Sequence, residues 1–327
     1  MMPLDAIEKF ADRRVVLLGD LAADVFVHGT AERVSREAPV LVVREERREL
    51  RPGGAANAAA NLRSLGGRPR VIGVVGDDEP GRALLENLLR RGLDCQGIVT
   101  ASGRPTTSKT RVLAGGENTV RQQVLRLDRV SRDAPSPQLE RALLDRLEQA
   151  AAQAEALLVS DYGEGVLGAA VLERVNELAR EGRFPVVVDS RYRVGEFRAA
   201  EALTPNEPEL AAFAREPAGD FDWRRAAQRL LADTGARMVA LKRGRNGMAL
   251  IRPEGIREVA AFGSAEVADV TGAGDTVAAA FTLALAAGVA PEDALVLANT
   301  AGGIKVTKSG TAAVTAEELR RALGGLS

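Results

Sequence analysis

Six short aliphatic runs recur along the chain, each ending in glycine or a polar residue, with helical patterns between several of them. Residues 15–18 run into Gly19 and Asp20; residues 71–75 end at Gly76 and Asp77, ahead of a helix expected around 80–91. Residues 156–159 end at Ser160 and Asp161, with a helix expected near 168–181. Residues 185–188 end at Asp189, 202–204 at Pro205 and Asn206, and 238–241 at Lys242. Unbroken aliphatic runs alternating with helices mark a sheet buried on both faces and mostly parallel. The expected fold class is α/β, a three-layer sandwich around that sheet. Ligands of such sheets bind beyond the carboxyl ends of the strands, where these polar residues fall.

Two segments break the rhythm. Residues 24–50 alternate without a convincing helix, and 106–127 read as a hairpin turning at Gly115 and Gly116. Both are expected to form a small β lid over the site within a single domain spanning 1–327, although length alone gives a soft count of two.

Composition excludes several chemistries. Basic and acidic residues number 44 and 45, so nothing attracts nucleic acid or anionic lipid in general, and an anionic substrate needs a local site. Cys95 is the only cysteine and His28 the only histidine, which rules out an internal disulfide and a thiolate zinc site. A Ser-His-Asp triad is possible only through His28. The first 14 residues lack an apolar core and no apolar stretch approaches membrane-spanning length, so a soluble, cytoplasmic protein is expected.

The chemistry concentrates in residues 269–276 (DVTGAGDT), ahead of an alanine-rich helix expected at about 276–287. Glycines at a helix entry aim backbone N–H groups at an anion. Asp275 beside such a nest would repel a resting phosphate. It makes sense if it takes a proton from an attacking hydroxyl while the nest stabilises the transferred phosphoryl group. The structural alternative is a glycine-rich turn with Asp275 capping the first helical turn.

That string, together with residues 51–61 (RPGGAANAAAN), resembles the two signatures of the PfkB carbohydrate kinases, the family that includes ribokinase. The likeness runs from about residue 14 to 318. Within the family the chain resembles the heptose 7-phosphate kinases of ADP-heptose synthesis, through Gly19, Asp20, Asp24 and the stretches 34–40, 107–113, 159–162 and 203–206. The resemblance implies a ribokinase-like fold and an ATP-dependent sugar kinase. Asp275 would be the base, Gly272, Ala273 and Gly274 the anion hole, and Asp24, Gly53, Gly54 and Asn57 the sugar contacts. It assigns Asn206, Lys242, Gly244, Asn299 and Gly310 to ATP, and Glu209 to Mg²⁺ through water, which suits a cation that dehydrates reluctantly. Asp269 and Thr271 are candidates for a monovalent-cation (K⁺) site.

The specific expectation is phosphorylation of D-glycero-D-manno-heptose 7-phosphate at O1; fructose 6-phosphate or ribose are the alternatives within the family. Lid strands often pair across a homodimer in this family, and its bifunctional members carry a nucleotidyltransferase after the kinase. With the sequence ending at Ser327, a separate nucleotidyltransferase is expected to complete ADP-heptose.

Each assignment has a structural counterpart. Asp24 can cap a turn, the glycines at 53 and 54 can serve close packing, and Asn57 can cap a helix. Glu207 and Glu209 can be first-turn helix charges, Lys242 a solvated strand end, and Asn299 a helix-surface amide. Lys109 and Arg111 stand two apart on one strand and share a face. With Arg36 and Arg51 they can hold a substrate phosphate; otherwise they are edge-strand charges that resist aggregation. Two departures touch that phosphate site. Glu164 stands where heptose kinases usually carry lysine, and residues 189–191 read Asp-Ser-Arg in place of Asp-Pro-Lys, so Arg191 keeps the charge.

Residues 163–168 (GEGVLG), with Asp189 further on, also match the dinucleotide fingerprint, but Asp161 and Glu164 would repel a pyrophosphate there. The P-loop pattern is absent. A non-catalytic sugar sensor would be expected to lack the base.

Overall fold

The computed structural model describes residues 4–116, 120–217, 221–263, 268–308 and 310–324. The tip of the second lid segment (117–119), residues 1–3 and Ser309 of the KSGT stretch lie outside the described residues.

The strands, in chain order, begin with β1 (Arg14–Gly19), β2 (Leu21–Val34), β3 (Leu41–Gly54), β4 (Arg68–Gly76) and β5 (Asp94–Ala101). They continue with β6 (Thr107–Gly115), β7 (Gln122–Arg129), β8 (Ala156–Asp161) and β9 (Val186–Ser190). The last are β10 (Ala202–Leu203), β11 (Met238–Lys242), β12 (Met248–Arg252) and β13 (Gly255–Val259). Among the described residues, nine of them form one sheet in the order β13-β12-β11-β10-β9-β8-β1-β4-β5. It is parallel from β11 to β5, with β12 and β13 added antiparallel at one edge.

The aliphatic runs become strands because neighbouring residues serve opposite faces. Val15, Leu17, Leu158 and Val187 enter one core, packed by the helices Ala55–Ser64, Ala273–Ala286 and Pro291–Val306. Val16, Leu18, Leu157 and Val188 enter the other, beneath Pro137–Ala151, Ala169–Glu181 and Trp223–Thr234. The result is the expected three-layer sandwich. No helix among the described residues is long and apolar enough to cross a membrane.

The second sheet has the order β3-β2-β6-β7. Its first two strands are 14 residues each and outrun the expected 24–50 at both ends. A single residue, Asp20, separates β1 from β2, and β3 passes directly into the helix Ala55–Ser64. Asp24 faces Arg51 on β3 and Lys109 on β6, which gathers the lid's charged residues at the edge nearest the main sheet. β7 is exposed along its whole length, Val124, Leu125 and Leu127 included.

Candidate active site

The helix Ala273–Ala286 starts three residues before the expected 276, because Gly272 takes a left-handed φ of 76° and breaks the chain into it. A β-carbon at Gly272 would lie 2.5 Å from Asn57 Nδ2, so glycine also lets the turn close on Asn57. Asp275 therefore sits in the first helical turn, 3% exposed. Asn57 Nδ2 donates to its Oδ2 and the Tyr162 hydroxyl to its Oδ1, both at 2.7 Å. Burial pushes the Asp275 carboxyl up to about 6; these two donors and Lys242 pull it down, while Asp189 pushes it further up. At neutral pH it is a carboxylate with a pKa close to the working range of a general base. Burial, with Asp275 beside it, holds the Tyr162 phenol far above its ordinary pKa, so Tyr162 stays protonated and donates.

At the head of this helix the Ala273 N–H turns back to the Val270 carbonyl (3.2 Å). Among the described residues the N–H groups of Gly274 and Asp275 find no acceptor in the protein, and they remain open to an anion. Lys242, at the end of β11, stands beside them: a β-carbon at Gly274 would lie 3.4 Å from its Nζ. Lys242 pairs with Asp189 at 2.7 Å. Burial depresses its pKa, but Asp189, Glu209 and Asp275 outweigh that and hold it above the ordinary lysine value. Asn206 and Glu209 form a reciprocal capping box on the helix Glu207–Ala214, each side chain accepting the other's N–H at 2.8 Å. Burial raises the Glu209 pKa, Lys242 opposes it and Asp189 adds to it. Three carboxylates thus act on one ammonium, and the Arg191 guanidinium also acts on Glu209; among the described residues no three of His, Cys, Asp or Glu converge on one point as a metal site.

A cavity of about 700 Å³ opens from Gly274, lined among others by Gly244, Val270, Val277, Phe262 and Asn299. Asn299 Nδ2 donates to the Ala260 carbonyl at 2.8 Å. Gly310 is not among the cavity's lining residues. Its N–H donates to Asp269 Oδ2 (2.8 Å), and the Arg51 guanidinium lies against its α-carbon. Thr271 N–H donates to Asp269 Oδ1, also at 2.8 Å.

On the lid side, Arg111 pairs with the buried Asp24 at 2.7 Å. A β-carbon at Gly53 would lie 2.6 Å from Asp24 Oδ2, so the absent side chain makes room for that carboxylate. Gly54, with a φ of 55°, stands where a β-carbon would meet the Asp20 carbonyl at 2.6 Å. Lys109 pairs with Glu164 at 2.9 Å and lies 5.4 Å from the centre of the Tyr162 ring. Arg51 and Arg111 both rest against Phe26, at 5.0 and 5.3 Å from its centre. Lys109 and Arg111 are therefore each matched by a carboxylate of the protein. Glu164 Oε2 is buried without a partner. Arg36 is not brought to this cluster: it is exposed in the turn beyond the Val34–Leu41 pair, at the far end of β2 from Asp24.

Asp20, Tyr162 and Asp189 were not singled out as site residues by the sequence. Asp20 is buried and accepts the N–H groups of Tyr162 (2.8 Å), Glu164 and Val166 (3.1 Å each). Burial and the neighbouring Asp161 push its carboxyl up to about 6 against the pull of these donors. It fixes the loop that carries Tyr162 and Glu164. It also disposes of the dinucleotide reading: amides of the 163–168 loop are turned onto Asp20, and Glu140 caps Ala170 N (2.8 Å) where a pyrophosphate would sit. Position was one signal, since each lies at or just beyond a strand's carboxyl end, and Asp20 and Tyr162 also fall in the stretches that carry the family resemblance.

Another cavity, about 490 Å³, lies at the opposite, amino-terminal ends of β1 and β4. Arg14, Arg68 and Arg70 there pair with Glu155, Asp12 and Asp94, so it offers no free cation cluster.

The family described as pfkB family carbohydrate kinase matches residues 12–318. The bifunctional protein HldE of Geobacter sulfurreducens is 42% identical over 312 residues, which cover 94% of this chain and 62% of that protein. The protein of the same name from Halorhodospira halophila is 42% identical over 319 residues, 97% of this chain and 64% of that one. The chain thus spans a little under two thirds of the length of these relatives. Phosphofructokinase-2 from Escherichia coli, solved in complex with fructose-6-phosphate, superposes with a TM-score of 0.74 at 21% identity, covering 96% of this chain and 99% of that one. Ribokinase from Arabidopsis thaliana, complexed with ribose and ATP, gives 0.73 at 20% identity, covering 95% and 99%. These two likenesses show a ribokinase-like fold.

Proposed function

The chain belongs to the pfkB family of carbohydrate kinases, and from this we propose that it phosphorylates D-glycero-D-manno-heptose 7-phosphate at O1, with MgATP as donor. The observation that carries the kinase chemistry is the buried Asp275 carboxylate, held between Asn57 and Tyr162 beside the open N–H groups of the helix head. In this reading Asp275 takes the proton from O1 as that oxygen attacks the γ-phosphorus and the bond to the ADP oxygen breaks in line. The Gly274 and Asp275 N–H groups and the Lys242 ammonium receive the charge on the phosphoryl oxygens. Glu209 and Asp189 would hold Mg²⁺ through water, and the ion would supply charge neutralisation of the phosphates. The nucleoside occupies the cavity beside Asn299 and Gly244, and the sugar lies under the lid against Asp24, Gly54 and Asn57.

The heptose assignment rests on the resembling stretches and on the 42% identity to proteins named HldE. One observation favours a second reading, an unphosphorylated sugar such as ribose: Lys109 and Arg111 already hold Glu164 and Asp24, so a substrate phosphate has to compete for them. ADP release from MgATP over heptose 7-phosphate, fructose 6-phosphate and ribose separates the two. Selective turnover of heptose 7-phosphate supports the proposal; turnover of ribose alone rejects it and keeps the kinase.

Two further expectations belong to the same reading. A nucleotidyltransferase, fused or separate, would act at the 1-phosphate once the 7-phosphate had been removed by hydrolysis, in the cytoplasm where ATP is at hand. A homodimer would cover the exposed apolar residues of β7, and a monomeric mass in solution scattering would reject it. A monovalent cation at Asp269 and Thr271, the remaining expectation, meets an obstacle in Lys305.

A further inference from the structure

Lys305 lies in the last turn of the helix Pro291–Val306 and has no solvent exposure. Its ammonium donates to the main-chain carbonyl oxygens of Lys308 (3.4 Å) and Asp269 (3.5 Å). Desolvating an ammonium costs several kcal/mol in real proteins, and burial pulls the Lys305 pKa below the ordinary lysine value. The Asp269 and Asp275 charges oppose that pull. The neighbouring Lys308 has a different task, held by Glu318 (2.6 Å) and the Ala313 carbonyl (2.9 Å).

The two carbonyls come from the two segments that back the anion site. One is the loop entering Gly272, whose Ala268 and Asp269 N–H groups dock on the Val306 carbonyl at 2.8 and 3.1 Å. The other holds Lys308 and Gly310, the latter tied to the first segment by its N–H on Asp269 Oδ2. Both carboxylate oxygens of Asp269 already have backbone donors, and its main-chain oxygen faces an ammonium. A potassium ion on these same oxygens would meet Lys305 as a like charge in a desolvated setting. The residues present do not fit a K⁺ site.

We infer that Lys305 Nζ is a built-in monovalent cation, which positions the turn from Asp269 to Asp275 and frees the enzyme from any need for potassium. Among the described residues Lys305 hydrogen-bonds only to main-chain oxygens, so it is a positioning residue. The inference rests on the kinase reading for its effect on rate, but not for its effect on stability.

The test compares the wild-type protein with Lys305→Met in potassium chloride and in tetramethylammonium chloride at equal ionic strength. Turnover and the melting temperature without substrates are read in each. Wild-type turnover is expected to change less than about twofold between the salts, and its melting temperature by no more than ~1 °C. Lys305→Met is expected to lose about tenfold or more in tetramethylammonium, in kcat rather than KM. Added potassium or ammonium ions should restore both its turnover and its melting temperature, which a simple packing defect would not allow. Tenfold stimulation of the wild type by potassium overturns the inference, as does full turnover of Lys305→Met without it. The wild-type comparison decides even if the variant fails to fold. If no sugar is turned over in any salt, the melting temperatures still test Lys305, and the failure belongs to the kinase reading alone.

Discussion

On the proposed nucleotide side of the site, three carboxylates face the ammonium of Lys242, Glu209 among them also facing the Arg191 guanidinium, and two N–H groups stand open. On the sugar side each cation has its own anion, Lys109 with Glu164 and Arg111 with Asp24. On the kinase reading the first arrangement is open to MgATP. The second pairs its charges without a ligand and leaves only Glu164 Oε2 without a donor, so a substrate phosphate enters it by competing for Lys109 and Arg111. On the proposed reading, catalytic machinery and substrate choice are thereby carried by separate groups of residues. A change at one end should alter rate, and a change at the other should alter which sugar is accepted.

The strongest way to break that division is Asp275→Ala. Removing the base should lower kcat by about 10²–10⁴ on every accepted sugar, the usual worth of a positioned base. Steady-state kinetics on two sugars would check this; near wild-type turnover would take Asp275 out of the chemistry.

Glu164→Gln sharpens the other half. It releases Lys109 from its partner and should lower KM for a phosphorylated sugar by about tenfold, one charge-assisted contact's worth, while kcat holds within about twofold. An unphosphorylated sugar should be indifferent. A raised KM for both would mean that Glu164 itself holds sugar hydroxyls and that the two pairs are not simply competitors of phosphate.

The smallest effect tests the hinge between the halves. With the Asp275 carboxyl at about 6 and the carboxylate as working form, kcat should fall as pH drops through that value. The Tyr162 hydroxyl stabilises the charged form, so Tyr162→Phe should raise the pKa and move this acid limb upward by about one pH unit. A pH–rate profile whose acid limb stays put would show that Tyr162 does not tune the base.

The sandwich was legible because its strands are unbroken aliphatic runs, buried on both faces. β13 was not, since the exposed positions of 255–259 lack that mark, and the run at 248–251, although aliphatic and buried on both faces, was not singled out. The helix head was legible from glycine chemistry, and Asn57 from the resemblance. Asp20 was not, because its three amide partners lie 142 to 146 residues away in sequence. Glu164 was visible as a departure and Lys109 as a candidate cation, but their pairing was not. Spacing reports neighbours along one element and says nothing of two loops that meet only after the sheet has formed.

β3 runs without a break through Gly54 into the helix that carries Asn57, three residues on. Any rotation of the lid about Gly54 would therefore be delivered to the hydrogen bond on Asp275 with almost no slack. Occupancy of the lid and protonation of the base would then be linked quantities. If a sugar binds more tightly when Asp275 is ionised, its binding must by the same factor make Asp275 the stronger acid. The wrong sugar, failing to move the lid, would leave the proton where it was.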